Sequence, residues 1–126
     1  MQFLSDEWIQ RYGEIWNGND ALTGSLSNFN NRLQYRYSDK DLPPVQLLIQ
    51  NGKCTYAGPM QENEKIDFDM FATAENWEKI CKGDIGPRSA LLTKKLGFNG
   101  SMITAMKHMS SFEDAIRLMG TIESRY

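Results

Sequence analysis

At 126 residues, with 40% hydrophobic and 24% charged residues, the chain has the balance of one globular domain spanning 1–126. A net charge of −2 leaves no basic footprint for nucleic acid, and no run approaches the roughly 18 apolar residues of a membrane span. The start, MQFLSDEW, lacks a basic segment ahead of an apolar core; with only Cys54 and Cys81, far apart, this points to the cytoplasm and to free thiols.

Ser5 is placed to cap a first helix, with Asp6 and Glu7 where carboxylates favour the positive helix end, and Leu4 and Ile9 in the positions of a hydrophobic staple. Trp8, Ile9, Tyr12, Ile15 and Trp16 mark one face at helical spacing, the ordinary sign of core packing, and Asn17-Gly18 supplies the stop. Residues 17–31, rich in Asn, Gly and Ser, form either a loop or a short weak helix around Ala21 and Leu22. From Asn28 the pattern alternates: Phe29, Leu33, Tyr35 and Tyr37 on one side, Asn30, Arg32, Gln34 and Arg36 on the other, a strand with one wet face.

VQLLIQ after Pro43-Pro44 is a second strand, Asn51-Gly52 a strong hairpin signal, and KCTYAG the return strand. In KIDFDMFAT, Ile66, Phe68, Met70 and Ala72 share one face and Asp67 and Asp69 the other, so these strands predict a mainly antiparallel sheet. Thr73 caps a helix that carries Trp77, Ile80 and Cys81 inward and stops at Gly83, and Pro87 is suited to open the next. Leu96 and Phe98 share a face of a fifth strand, turned by Asn99-Gly100. Ser101 then opens a helix with Met102, Ile103, Met106 and Met109 in register. Ser110 and Glu113 are spaced as a capping box for a last helix striped by Phe112, Ala115, Ile116, Met119 and Ile122. Helices gathered at both ends of a strand run predict an α+β layer.

Conventional catalysis finds little support. His108 is the lone histidine, Asp67 and Asp69 have no third ligand at metal spacing, neither cysteine has a nominated base, and there is no Gly-rich phosphate loop. No catalytic residue, metal site or cofactor is assigned. The methionines say more: Met102, Met106, Met109 and Met119 fall on two consecutive amphipathic segments. Unbranched, polarizable thioethers line surfaces that adapt to varied apolar shapes, although plain core filling is the ordinary alternative. From Lys82 to Met109 five basic residues face only Asp84, a local charge of +4 that would suit fatty acids, acyl-CoA phosphates or an anionic membrane surface.

The run TKKLGFNGSMITAMKH resembles the C-terminal signature of the sterol carrier protein 2 family: Lys95, Leu96, Gly100, Met102, Ala105, Met106 and Lys107 match it in order and spacing. Upstream, Gly83, Asp84, Pro87 and Ala90 resemble the family's Gly-Asp-x-x-Pro-x-x-Ala segment. Lys94 stands where the family often has Gly, Gly97 where it often has a basic or polar residue, and Phe98 replaces a smaller aliphatic residue. The end, Ser-Arg-Tyr, is not a peroxisomal Ser-Lys-Leu address, so the chain looks closer to stand-alone prokaryotic members.

The resemblance implies a five-stranded, mostly antiparallel sheet of order 3-2-1-4-5, covered on one face by about five helices. Between the layers it implies a tunnel for a sterol, fatty acid or fatty acyl-CoA, with no catalytic residues and no cofactor. Phe68, Met70 and Phe98 are then expected on the sheet side of that tunnel. Met102, Met106, Met109, Ile116 and Met119 are expected on the helical side, Lys94 and Lys95 at an anionic head group, and the last helix as a lid. Expected partners are the lipid ligand and, transiently, an anionic membrane; the fold also suits a homodimer. Two rivals remain: an accessory module presenting a lipid such as a quinone precursor to a partner enzyme, and an enzyme using Asp67 and Asp69 or a cysteine.

Overall fold

The computed structural model describes residues 1–126. In chain order it forms α1 (Asp6–Asn17), α2 (Asp20–Ser25), β1 (Asn31–Tyr37), β2 (Val45–Gln50), β3 (Lys53–Pro59), β4 (Phe68–Ala72), α3 (Ala74–Cys81), α4 (Pro87–Leu92), β5 (Gly97–Gly100), α5 (Met102–Lys107) and α6 (Met109–Met119). The strands make one sheet of order β3-β2-β1-β4-β5. Three pairings are antiparallel, while β1 and β4 run parallel with Leu33 beside Phe68 and Tyr35 beside Met70.

Local chemistry sets most element ends. The Ser5 hydroxyl accepts from the Trp8 N–H, Asn19 from Leu22, Thr73 from Asn76 and Ser101 from Thr104, each satisfying an orphan donor of a helix start. The Asn19 cap tips the ambiguous stretch 17–31 toward a helix, α2, one more than expected. Gly13 lets α1 lie close on the sheet, since a Cβ there would meet Cys54 Sγ at 3.0 Å and Ala57 Cβ at 3.1 Å. Asn51 (φ 51°) and Gly52 (φ 85°) both take left-handed conformations, as a two-residue hairpin requires.

The expected wet face of the sheet is not wet at its centre. Arg32, Gln34 and Gln46 are only 6%, 7% and 0% exposed. Because β4 pairs with β1, the chain leaving β3 must cross two strands, and its segment 60–67 passes over that face. Arg32 Nη1 donates to Gln61 Oε1 (2.6 Å) and Gln46 Oε1 (3.2 Å), Gln46 donates to Gln34 (2.9 Å), and Gln34 to Asp69 (3.1 Å). Asp69 in turn holds the Arg36 guanidinium at 3.0 Å, and Asp67 accepts from the Arg32 backbone N–H at 2.8 Å. No buried side-chain polar atom is left without a partner. Asp67 and Asp69 therefore tie strands together, and no group of three His, Cys, Asp or Glu residues is arranged to hold a metal.

The opposite face of the sheet carries the hydrophobic core against α1, α3 and α6. The ends of the chain close one side of it: the Phe3 N–H donates to Arg125 O (2.9 Å), Trp8 Nε1 donates to Ser124 Oγ (2.9 Å), and the Phe3 ring packs among Trp8, Trp77 and Tyr126. The Ser110–Glu113 capping box does not form. α6 starts two residues earlier, at Met109, with His108 as its cap, because α5 runs almost directly into it; Glu113 instead pairs with Arg88 at 2.6 Å and Arg117 at 3.4 Å.

Burial raises the pKa of the Tyr12, Tyr35 and Tyr126 phenols above their ordinary 10.0, and pushes the Cys81 thiol up to about 12. These groups are neutral in the fold and ionise more readily in the unfolded chain. Their stabilisation is complete below about pH 9 and disappears as pH climbs toward the folded values, at about 1.4 kcal/mol per pH unit for each of the buried Tyr12, Tyr35 and Cys81 and less for the more exposed Tyr126. The urea midpoint is expected to hold steady from pH 7 to 9 and fall steeply by pH 11. A flat profile to pH 11 would show these groups to be solvated.

Candidate functional site

Between the sheet and the helices lies an apolar void. Its floor is the inner face of three adjacent strands: Leu33 and Tyr35 from β1, Phe68 and Met70 from β4, and Phe98 from β5. The register sets Tyr35, Met70 and Phe98 side by side in one row and Leu33 beside Phe68 in the next. Tyr12 and Trp16 of α1 close one wall, and Leu26 and Phe29 of the α2–β1 connection another. Thr104 and Ala105 cover it from α5, His108 from the α5–α6 junction, and Ser111, Phe112, Ala115 and Ile116 from α6.

Aromatic rings frame the space. Phe29 stacks on Phe68 at 6.0 Å, Phe68 meets Phe98 at 5.4 Å, and Phe98 meets Phe112 edge-on at 6.3 Å. Several of the polar groups nearby have partners: the Tyr12 hydroxyl donates to Ala115 O, Trp16 Nε1 donates to Gly52 O, and the Ser111 and Ser25 hydroxyls bond each other at 2.7 Å. What faces the void is hydrocarbon, aromatic ring and sulfur, suited to an apolar guest. The void is small, about 40 Å³, within about 490 Å³ of atom-free space that includes its open mouth. Ligand pockets run to ~300–1,000 Å³, so a sterol or acyl chain enters only if part of the cover moves.

The structure brings Phe68, Met70, Phe98 and Ile116 together around this void. It does not bring the methionines of the helices there. Met102 and Met106 are 54% and 61% exposed on the outer side of α5, Met109 is buried at the α5–α6 junction outside the void, and Met119 is fully buried away from it. The helix break at His108 explains the difference: Met102, Ile103 and Met106 do share a face, but α5 turns Thr104 and Ala105 inward and presents that face to water. Lys94 and Lys95 are exposed between α4 and β5 and line no part of the void. Met106→Asp is accordingly expected to change thermal stability by less than about 0.5 kcal/mol and to leave binding of a soluble fatty acid unaltered; loss of that binding would put Met106 on the cavity wall after all.

Tyr12, Trp16, Leu26, Leu33 and Tyr35 escape a search for site residues because their sequence pattern is that of ordinary core. Phe29 gives the same signal, being the first apolar residue of the β1 alternation. The cover also differs from expectation. α6 is held by Tyr12, Ser25 and Arg88, and the chain after it is pinned by Trp8 and Phe3, whereas α5 buries Ala105 alone. Neither cysteine is an activated nucleophile: burial pushes the Cys54 thiol up to about 11 and Cys81 to about 12.

Comparison with known proteins agrees with this architecture. The model of the SCP-2 sterol transfer family matches residues 14–113. The chain belongs to this family. Membership carries lipid binding or transfer as the general class of function. No curated protein sequence matches the chain. Among solved structures, a crystal structure of sterol carrier protein 2 superposes with a TM-score of 0.84 at 19% identity, covering 97% of this chain and 100% of the other. A conserved hypothetical protein from Thermus thermophilus gives 0.79 at 20% identity over 99% of this chain and 92% of its own. The UbiJ-SCP2 ubiquinone synthesis protein gives 0.64 at 12% identity, over 98% and 99%. At such identities these likenesses establish a shared SCP2-like fold.

Lys94, just past α4, takes a left-handed conformation (φ 61°), which Gly adopts freely and lysine only at a cost.

Proposed function

We propose that the chain is a single lipid-binding domain of the cytoplasm that holds a fatty acid, fatty acyl-CoA or sterol between its sheet and helices and transfers it without catalysis. One observation carries the reading: an aromatic-lined apolar void lies beneath a six-residue helix, α5, that buries only one alanine. Displacing α5 outward would extend the void into a tunnel running along Phe68, Met70, Phe98 and Ile116. Lys94 and Lys95, outside that path near β5, would meet an anionic head group. Each methylene buried contributes about 0.8 kcal/mol, and the work of moving α5 reduces the total, so selectivity among chain lengths is weak.

Native mass spectrometry of protein purified from its own host, with titration of a fluorescent fatty acid, tests this. A co-purifying lipid or saturable binding near one per chain is the expected result. No lipid and no saturation would remove the carrier reading. The likeness to a ubiquinone synthesis protein supports a second reading, in which the same void presents a quinone precursor to a partner enzyme. Recovery of one biosynthetic enzyme with the tagged chain, together with a bound isoprenoid, would favour it.

A further inference from the structure

We propose that the outer face of α5, with the end of α4, docks on an anionic lipid bilayer. Leu92, Met102, Ile103 and Met106 are 78%, 54%, 85% and 61% exposed, and they account for most of the large apolar side chains the chain leaves in water. They lie on one side of the molecule. Arg88 borders the same surface groove as Met106 and Lys107, and Leu92 sits one helical turn beyond Arg88 on α4. A six-residue helix that turns alanine and threonine inward and methionine and isoleucine outward has its amphipathicity inverted for a water-soluble surface. That inversion suits an element lying on hydrocarbon.

Charge selects the partner. From Ile85 to Phe112 there are four basic residues and no acidic one, although the chain as a whole carries −2. Arg88 is paired with Glu113, but Lys94, Lys95 and Lys107 take part in no salt bridge. Protein interfaces are poor in lysine and rich in aromatic residues, whereas this patch has three free lysines around aliphatic and thioether side chains and no exposed aromatic ring. Lysines beside shallow apolar residues are the pattern that anionic phospholipid attracts. Lys94 adds an independent sign, because it holds a left-handed backbone conformation that glycine would occupy without strain.

The patch lies on the outside of the helix whose inner side covers the void, so docking would place that cover against the bilayer. The inference deepens the carrier reading, but adsorption to a membrane is measured separately from uptake of a soluble ligand.

The test is co-sedimentation with vesicles of phosphatidylcholine alone or with phosphatidylglycerol, at low and high salt, beside solution binding of a fluorescent fatty acid. The chain is expected to bind the anionic vesicles, less so in salt and little to neutral ones. Leu92→Ser with Ile103→Ser should weaken vesicle binding at least about tenfold. Lys94→Glu or Lys95→Glu should each weaken it about fivefold or more. The Leu92/Ile103 variant should keep its solution affinity for fatty acid, since neither residue lines the void. Lys94→Gly should weaken vesicle binding while raising the melting midpoint by roughly 2–5 °C, a combination that general damage to the fold would not produce. Wild-type protein that ignores anionic vesicles, or variants that bind them equally well, would overturn the proposal. So would sedimentation showing that the patch joins two copies and is covered in the dimer. Loss of fatty acid binding with vesicle binding intact would instead overturn the carrier reading and leave the docking surface standing.

Discussion

Ala105→Trp is expected to lower fatty acid affinity at least about tenfold while the chain stays folded. Ala105 is the one buried residue of α5, 7% exposed, and it covers the void opposite Phe68 and Phe98. An indole placed there needs more room than the 40 Å³ void offers and competes for the space that a ligand would take. Overpacking a rigid core commonly costs ~1–3 kcal/mol. Here α5 can be lifted outward with little loss, because its remaining residues are exposed or half-buried. The melting midpoint should therefore fall by no more than roughly 5–10 °C. Ala105→Ser, close in volume, should bind nearly as wild type. Undiminished affinity in Ala105→Trp would mean that lipid, if bound, lies elsewhere.

Gly52→Ala should be severely damaging for the addition of one methyl group, costing about 3 kcal/mol or more in urea unfolding. The left-handed turn at φ 85° alone costs a non-glycine residue ~1–3 kcal/mol. The new Cβ would also lie 2.4 Å from Thr23 O and 2.9 Å from Leu26 O, both backbone atoms of the α2 region. Gly52 also accepts the Trp16 indole N–H at 2.8 Å and donates to Phe29 O at 3.2 Å, so the hairpin tip positions two residues of the cavity wall. Relief of the clash must push α2 or the hairpin away, and ligand affinity should fall together with stability. An unchanged urea midpoint would show that the tip is not clamped beneath α2.

Much of the fold is legible along the chain because its signals are local. Ser5, Thr73 and Ser101 cap helices through hydroxyls acting three residues away, Asn51-Gly52 adopts the backbone that a two-residue hairpin demands, and Pro87 opens α4. The alternation at Phe68 and Met70 places both on the inner face of β4, and the period of the last helix turns Ile116 inward. The strand order and the family follow from the resemblance around residues 64–109, and the structure and the family match agree with both.

Other features have no local signature. Alternation tells that Arg32 and Gln34 share a face, but only the crossing of segment 60–67 over β2 and β1 makes that face a buried hydrogen-bonded network. The methionine run is the sharper case. Periodicity shows that Met102, Ile103 and Met106 form an apolar side. It carries no information on which side of a six-residue helix meets the sheet, because that orientation is set by where β5 delivers the chain and where α6 takes it away. By itself the amino-acid order determined the capped helices, the hairpin and the inward residues of the long amphipathic elements, since each rests on neighbours a few positions apart. Only the tertiary structure decided that the thioethers of α5 face outward and that Ala105 covers the void, since two flanking elements rotate α5 as a unit and hydrophobicity alone does not oppose them.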